Sequence, residues 1–227
     1  PQFVSAAEQL VIRKSGGVIV TLTTTEAVYA FYNREINTQY LTDQFTRRAD
    51  FSWKKFGDAY RQGKNLTFIT STNGSELINF RKFALLGDPA LTPAFPQYDI
   101  TLDSATDAYS MQRADSIKAL GAYIISGSVR DNYGSVLNSF NGMLSVAFYD
   151  KMRKITTISG CDDAYQVQNN VIYKGRVSVT NGKFSFTFIT PRDINYYFGK
   201  GKVSTYAENG KTDAAGSDTT IVVGGFS

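Results

Sequence analysis

Histidine is absent from the 227-residue chain and cysteine occurs once. These two facts bound the chemistry before any motif is read. Without an imidazole the chain lacks the commonest general base and the commonest zinc ligand. A lone thiol has no internal partner for a disulfide. Cys161 follows Gly160 and precedes Asp162 and Asp163, a loop composition. A reactive thiolate needs nearby positive charge, and two adjacent carboxylates disfavour it. Cys161 therefore reads as an incidental loop thiol or half of a bridge to another chain. Asp162 and Asp163 offer the oxygen ligands that calcium takes, but the alternating acidic spacing and central glycine of an EF-hand are missing. They read as a solvated acidic turn, and no catalytic residue, metal or cofactor is expected. Gly199-Lys200-Gly201-Lys202 has the look of a phosphate loop without the Walker spacing, and reads as a turn between strands.

The strongest polar cluster is Thr23-Thr24-Thr25-Glu26. Val18 to Leu22 ahead of it is a continuous, largely β-branched run, the pattern of a strand buried on both faces in a parallel sheet. A helix is predicted after it, from Glu26 to Asn37, with Val28, Phe31 and Tyr32 inward. Ligands of open α/β sheets bind beyond the carboxyl ends of strands, and free N–H groups at a helix start attract anions or a substrate backbone. The same residues also fit a plain capping box, and both readings stand at this point.

The elements that would position this cluster fill residues 1–96. Ser5 to Glu8 fits a capping box ahead of Ala7, Leu10 and Val11, and Ser15-Gly16-Gly17 stops that helix. A third helix is predicted over Ser52 to Gln62 with Trp53, Phe56 and Tyr60 on one face. A fourth segment runs through Leu77, Phe80 and Phe83 to Gly87-Asp88-Pro89. Helix, buried strand, helix is half of an α/β unit, and one buried strand cannot satisfy its own backbone groups. Residues 1–95 are therefore expected to be the end of a larger α/β domain. A first residue that is proline and not methionine fits a processed or excised piece, and an unpaired edge near residues 18–22 predicts self-association.

Pro93 and Pro96 mark a boundary, and residues 97–227 follow a period of two. Leu144, Val146 and Phe148 alternate with Ser145 and Ala147, and Phe184, Phe186 and Phe188 with Ser185 and Thr187. Val177 and Val179 end a further run, and Asn181-Gly182 joins it to the phenylalanine strand, a strong hairpin signal. More strands are predicted near 99–103, 117–129, 200–207 and 218–224. Seven strands with regular turns point to an immunoglobulin-like β-sandwich. The net charge is +4, but Lys and Arg are spread along the chain and no groove-reading motif accompanies them, so nucleic acid is not an expected partner. No apolar run is long enough to span a membrane.

Three stretches taken in order, SAAEQLVIRKSGGVIVTLTTTEAVYAFYN, FRKFALLGDPALTPAFP and NVIYKGRVSVTNGKFSFTFITPRDINYYFGKGKVSTYAENG, resemble the end of gingipain-like (C25-type) cysteine peptidases. The resemblance is greatest to the branch that acts as sortase in the type IX secretion system of Bacteroidetes. It implies the C-terminal part of a caspase-like α/β domain followed by an immunoglobulin-like domain. The nucleophilic Cys and its His partner would lie ahead of Pro1. What carries over is the wall of the specificity pocket, at Thr24, Thr25, Glu26 and Tyr29. Members of the sortase branch often carry a basic residue where Glu26 stands. The resemblance also implies a parent at the cell surface, associated with the outer membrane. It would cleave the C-terminal sorting domains of protein cargo, join the cargo to a lipopolysaccharide-type anchor, and work with other outer-membrane secretion components. The alternative from the residues alone is a non-catalytic β-sandwich adhesion or docking module.

Overall fold

The computed structural model describes residues 4–70, 74–158 and 164–226. It divides into two compact units, Pro1–Phe95 and Pro96–Ser227.

The first unit opens with α1 (Ala6–Ile12). Its start is the capping box read from the sequence: Ser5 N donates to Glu8 Oε2 at 2.7 Å, and Glu8 N donates to Ser5 Oγ at 3.2 Å. Next come β1 (Val20–Thr24), α2 (Ala30–Gln44), α3 (Phe56–Thr70), α4 (Gly74–Arg81) and β2 (Phe83–Gly87). Helices α2 and α3 meet closely because residue 63 is glycine: a Cβ there would lie 3.0 Å from the Tyr40 Cα.

Four sequence expectations need correction here. Strand β1 starts at Val20, two residues late, and its partner β2 is antiparallel to it, from Val20 opposite Gly87 to Thr24 opposite Phe83. All five of its residues are half-buried, and Val18 and Ile19 are exposed. Residues 83–87, read as the end of a single fourth segment, form a separate element, β2. They are a short apolar run whose type is decided by a partner strand some sixty residues earlier. Helix α2 starts at Ala30 and not Glu26, because Thr25 to Tyr29 are bonded to another segment, and Phe31 faces outward. Helix α3 starts at Phe56, so Trp53 precedes it. Trp53 instead packs edge-on against Phe95 and lies under the Arg47 guanidinium.

The second unit holds β3 (Tyr98–Asp107), β4 (Ile117–Ala119), β5 (Ala122–Arg130), β6 (Gly142–Tyr149), β7 (Arg153–Thr156), β8 (Ala164–Val167) and β9 (Val171–Val179). It continues with β10 (Lys183–Ile189), β11 (Gly199–Lys200), β12 (Lys202–Glu208), β13 (Asp213–Asp218) and β14 (Val222–Phe226). Seven of these form one sheet in the order β10-β5-β3-β13-β12-β6-β9, antiparallel except for the short parallel pairing of β13 with β3. Strands β11, β14 and β4 form a smaller sheet, and β7 pairs with β8. Most of the expected strands are present, but the stretch read as one strand near 117–129 is split into β4 and β5 in different sheets, and the stretch near 218–224 is interrupted between β13, which was not expected, and β14. The β7–β8 hairpin was not expected, and Gly199-Lys200, read as a turn, is a short strand.

The Asn181-Gly182 turn joins β9 to β10 with φ of 51° and 71°. A Cβ on Gly182 would also sit 2.4 Å from the Leu137 carbonyl oxygen, so glycine is required twice over. The alternation in β10 is complete: Phe184, Phe186 and Phe188 are buried, while the residues between them are exposed. They join Ile125, Val129, Phe140, Leu144, Val146, Phe148 and Val203 in one core.

Candidate functional site

The predicted site residues Thr24, Thr25, Glu26 and Tyr29 occupy the end of β1 and the connection to α2. Thr24 is the last ladder residue, opposite Phe83. Past it, the chain turns along the junction of α4 and β2 and not into a helix. Thr25 donates to the Lys82 carbonyl oxygen twice, from N at 2.9 Å and from Oγ1 at 3.2 Å. Lys82 Nζ lies 3.2 Å from Glu26 Oε2 and donates to the Ala27 carbonyl oxygen at 3.0 Å. Tyr29 N donates to Asn79 Oδ1 at 2.8 Å.

This explains why the capping box seen in the sequence does not form. The Glu26 carboxylate, which would have reached back to the Thr23 N–H, is turned to Lys82, and the first orphan N–H of the α2 end is met by Asn79. The four residues are therefore brought together, and each is held by Asn79, Lys82 or Phe83. Sequence reading missed Asn79 and Lys82, which lie fifty or more residues away and belong to no motif.

Behind the wall, the Phe83 carbonyl oxygen accepts from Tyr60 Oη at 2.5 Å and from Lys64 Nζ at 2.8 Å. Ile36, Phe80 and Phe83 form a small core there, with Val28, Tyr32 and Tyr60 packed on it. The face turned outward is open: the Glu26 side chain is 70% exposed and Tyr29 is 68% exposed. The exposed side chains here are thus a threonine hydroxyl donated to a carbonyl, a paired carboxylate and an aromatic ring. None of the four side chains is a thiol or an imidazole. Cys161, Asp162 and Asp163 lie outside the described residues. Among the described residues no three of His, Cys, Asp or Glu come together to hold a metal ion.

Comparison with known proteins gives the wall a context. The sequence profile of peptidase family C25 matches residues 1–94. No curated protein matches the chain in sequence. Among solved structures, dimeric latent PorU from Porphyromonas gingivalis is similar over 92% of this chain, with 26% identity and a TM-score of 0.53. The Arg-specific cysteine proteinase gingipain R aligns over 96% of this chain and 40% of its own, with 12% identity and a TM-score of 0.35. This chain spans 20% of the PorU chain, about a fifth of its length. Residues 1–94 are thus similar to a segment of peptidase family C25, the gingipain-like cysteine peptidases.

Proposed function

We propose that this chain is the C-terminal portion of a surface cysteine peptidase that works as a sortase. In the parent, a thiolate attacks the carbonyl ahead of a C-terminal sorting signal. The tetrahedral adduct collapses to a thioester, and the departing amine takes its proton from an imidazolium. An amine on a surface anchor then attacks the thioester, and the thiolate is released. The Cys/His pair for these steps belongs to sequence other than this chain. The chain contributes one wall of the substrate pocket, through Thr24, Thr25, Glu26 and Tyr29. Its β unit, read as immunoglobulin-like and following the end of a caspase-like fold in the chain, serves as a rigid docking domain. The setting is extracellular, at the outer membrane, where cargo and other secretion components are its partners.

The observation that carries this reading is the similarity to PorU over 92% of a chain that contains no histidine. Assayed alone, the chain is expected to turn over no peptide and to show no saturable labelling of Cys161 by a peptidyl electrophile. Saturable labelling would overturn the assignment. The competing docking-module reading predicts that the sequence encoded just ahead of Pro1 lacks a Cys at a strand end and a His on a preceding one.

A further inference from the structure

We infer that Lys82 sets the charge preference of the wall formed by Thr24, Thr25, Glu26 and Tyr29, an inference that rests on the proposed function. Lys82 makes two different kinds of contact. Its carbonyl oxygen and its bond to the Ala27 carbonyl oxygen fix the path of the loop. Its ammonium also faces the Glu26 carboxylate at 3.2 Å. The second contact does nothing for the backbone. It offsets the negative charge of the wall's only carboxylate, on the side chain that stands furthest into solvent.

The partner at the other end of the loop supports a built arrangement. Asn79 is 2% exposed, and its Oδ1 takes the Tyr29 N–H while its Nδ2 has no acceptor among the described residues. Leaving a buried donor unmet carries a cost, and here the same side chain anchors the start of α2. Asn79 and Lys82 are thus positioning residues for opposite ends of one loop. Lys82 alone carries charge.

The consequence concerns which substrate side chain the wall accepts. With Lys82 in place, an approaching side chain meets a threonine hydroxyl, an offset carboxylate and the open Tyr29 ring, a surface suited to neutral side chains. Without it, the same wall joins a free carboxylate to an exposed aromatic face, the combination that draws ammonium and guanidinium groups. Because the pair is solvent-screened, the shift should be modest, about three- to fivefold.

The test uses the whole enzyme that contains this chain, with two peptide substrates differing only in a neutral or a basic side chain at the position contacting the wall. Lys82→Met is expected to raise the basic-to-neutral ratio of kcat/KM about three- to fivefold. Lys82→Arg should keep the original ratio, and Lys82→Met should have no effect on the ratio when Glu26→Gln is already present. Amide hydrogen exchange at residues 27–29, followed in the same whole enzyme, reports the loop. Faster exchange in Lys82→Met with an unchanged substrate ratio would reduce Lys82 to a brace and overturn the inference. If Thr25→Ala and Glu26→Gln also leave both substrates untouched, or if the unsubstituted enzyme shows no turnover, the pocket-wall assignment falls first and takes the inference with it.

Discussion

The two units solve the problem of burying apolar surface to very different extents. In the β unit, twenty buried side chains form one cluster among the described residues. In the first unit the corresponding cluster is Ile36, Phe80 and Phe83. Exposure runs the other way in proportion: among the described residues, thirteen large hydrophobics are exposed in the first unit, from Val4 to Leu91, against fourteen in the longer β unit. Six of those fourteen are tyrosines, whose hydroxyls suit water. The first unit exposes Ile12, Ile19, Phe31, Phe45, Phe68 and Ile69 instead. Two half-buried strands with a ladder only to each other complete the contrast. A unit with a full core can hold a rigid shape by itself. One with three core residues and many open apolar side chains calls for further surface to pack against, which is what the proposed place within a larger peptidase domain would supply.

The sharpest way to break this contrast is to remove the centre of the larger core. Phe148 is fully buried and meets Phe188 edge-on with centroids 5.6 Å apart. Phe148→Ala is expected to destabilise the β unit by about 3–5 kcal/mol. Denaturant unfolding followed by tyrosine fluorescence and by exchange of the β10 amides should show both probes shifting together. If the β10 amides keep their protection while fluorescence shifts, the twenty residues are not one cooperative core.

The next effect comes from charge. Asp150 is 3% exposed and lies at the end of β6. Burial pushes its carboxyl up, but donors outweigh that and hold it below the ordinary aspartate value. These are the Lys151 Nζ at 2.7 Å, the Lys151 backbone N–H at 2.8 Å and the Asn195 N–H at 3.3 Å. A carboxyl whose pKa is lowered by folding contributes stability above its unfolded value, and that contribution is lost as pH falls through the folded value. Asp150→Asn leaves the largely buried Lys151 ammonium its bond to the Asn195 carbonyl oxygen but no counter-charge, and should cost about 3 kcal/mol at neutral pH. The gap to the unsubstituted chain should narrow once pH drops below the ordinary aspartate range. A gap that stays constant well below that range would show that the carboxylate charge is not what ties Asp150 to Lys151 and Asn195.

How much of this was legible in the sequence divides along the same line. The alternation in β10, the Asn181-Gly182 hairpin and the Ser5–Glu8 capping box are local signals, and the fold follows all three. The exposed hairpin β7–β8 carries no apolar alternation in Arg153-Lys154-Ile155-Thr156 and gave no signal. In the first unit, local signals were overruled by distant partners. Thr23 to Glu26 has the residues of a helix cap, but Lys82 draws the chain elsewhere. Phe83 continues the spacing of Leu77 and Phe80 and reads as one segment with them until β1 is there to pair with it. The site was half visible for the same reason. Thr24, Thr25, Glu26 and Tyr29 are neighbours in sequence, whereas Asn79 and Lys82 join them only through the fold.

The smallest effect offers the finest comparison. Ile69 in α3 is 77% exposed, and Ile189 at the end of β10 is 66% exposed. Replacing either by glutamine in this chain should change stability by no more than about 0.5 kcal/mol, because neither side chain gives up much burial. The two should part company in the whole enzyme. If the open face of the first unit is covered there by the rest of a peptidase domain, Ile69→Gln loses buried apolar contact and should cost about 1–3 kcal/mol. Ile189→Gln should stay near neutral. Thermal unfolding of both variants in both lengths of chain measures the four values. Equal, near-zero costs for Ile69→Gln in the short and the long chain would mean that its surroundings stay open to water, and the need for outside cover would then have to be sought on another face, at Ile12 or Ile19.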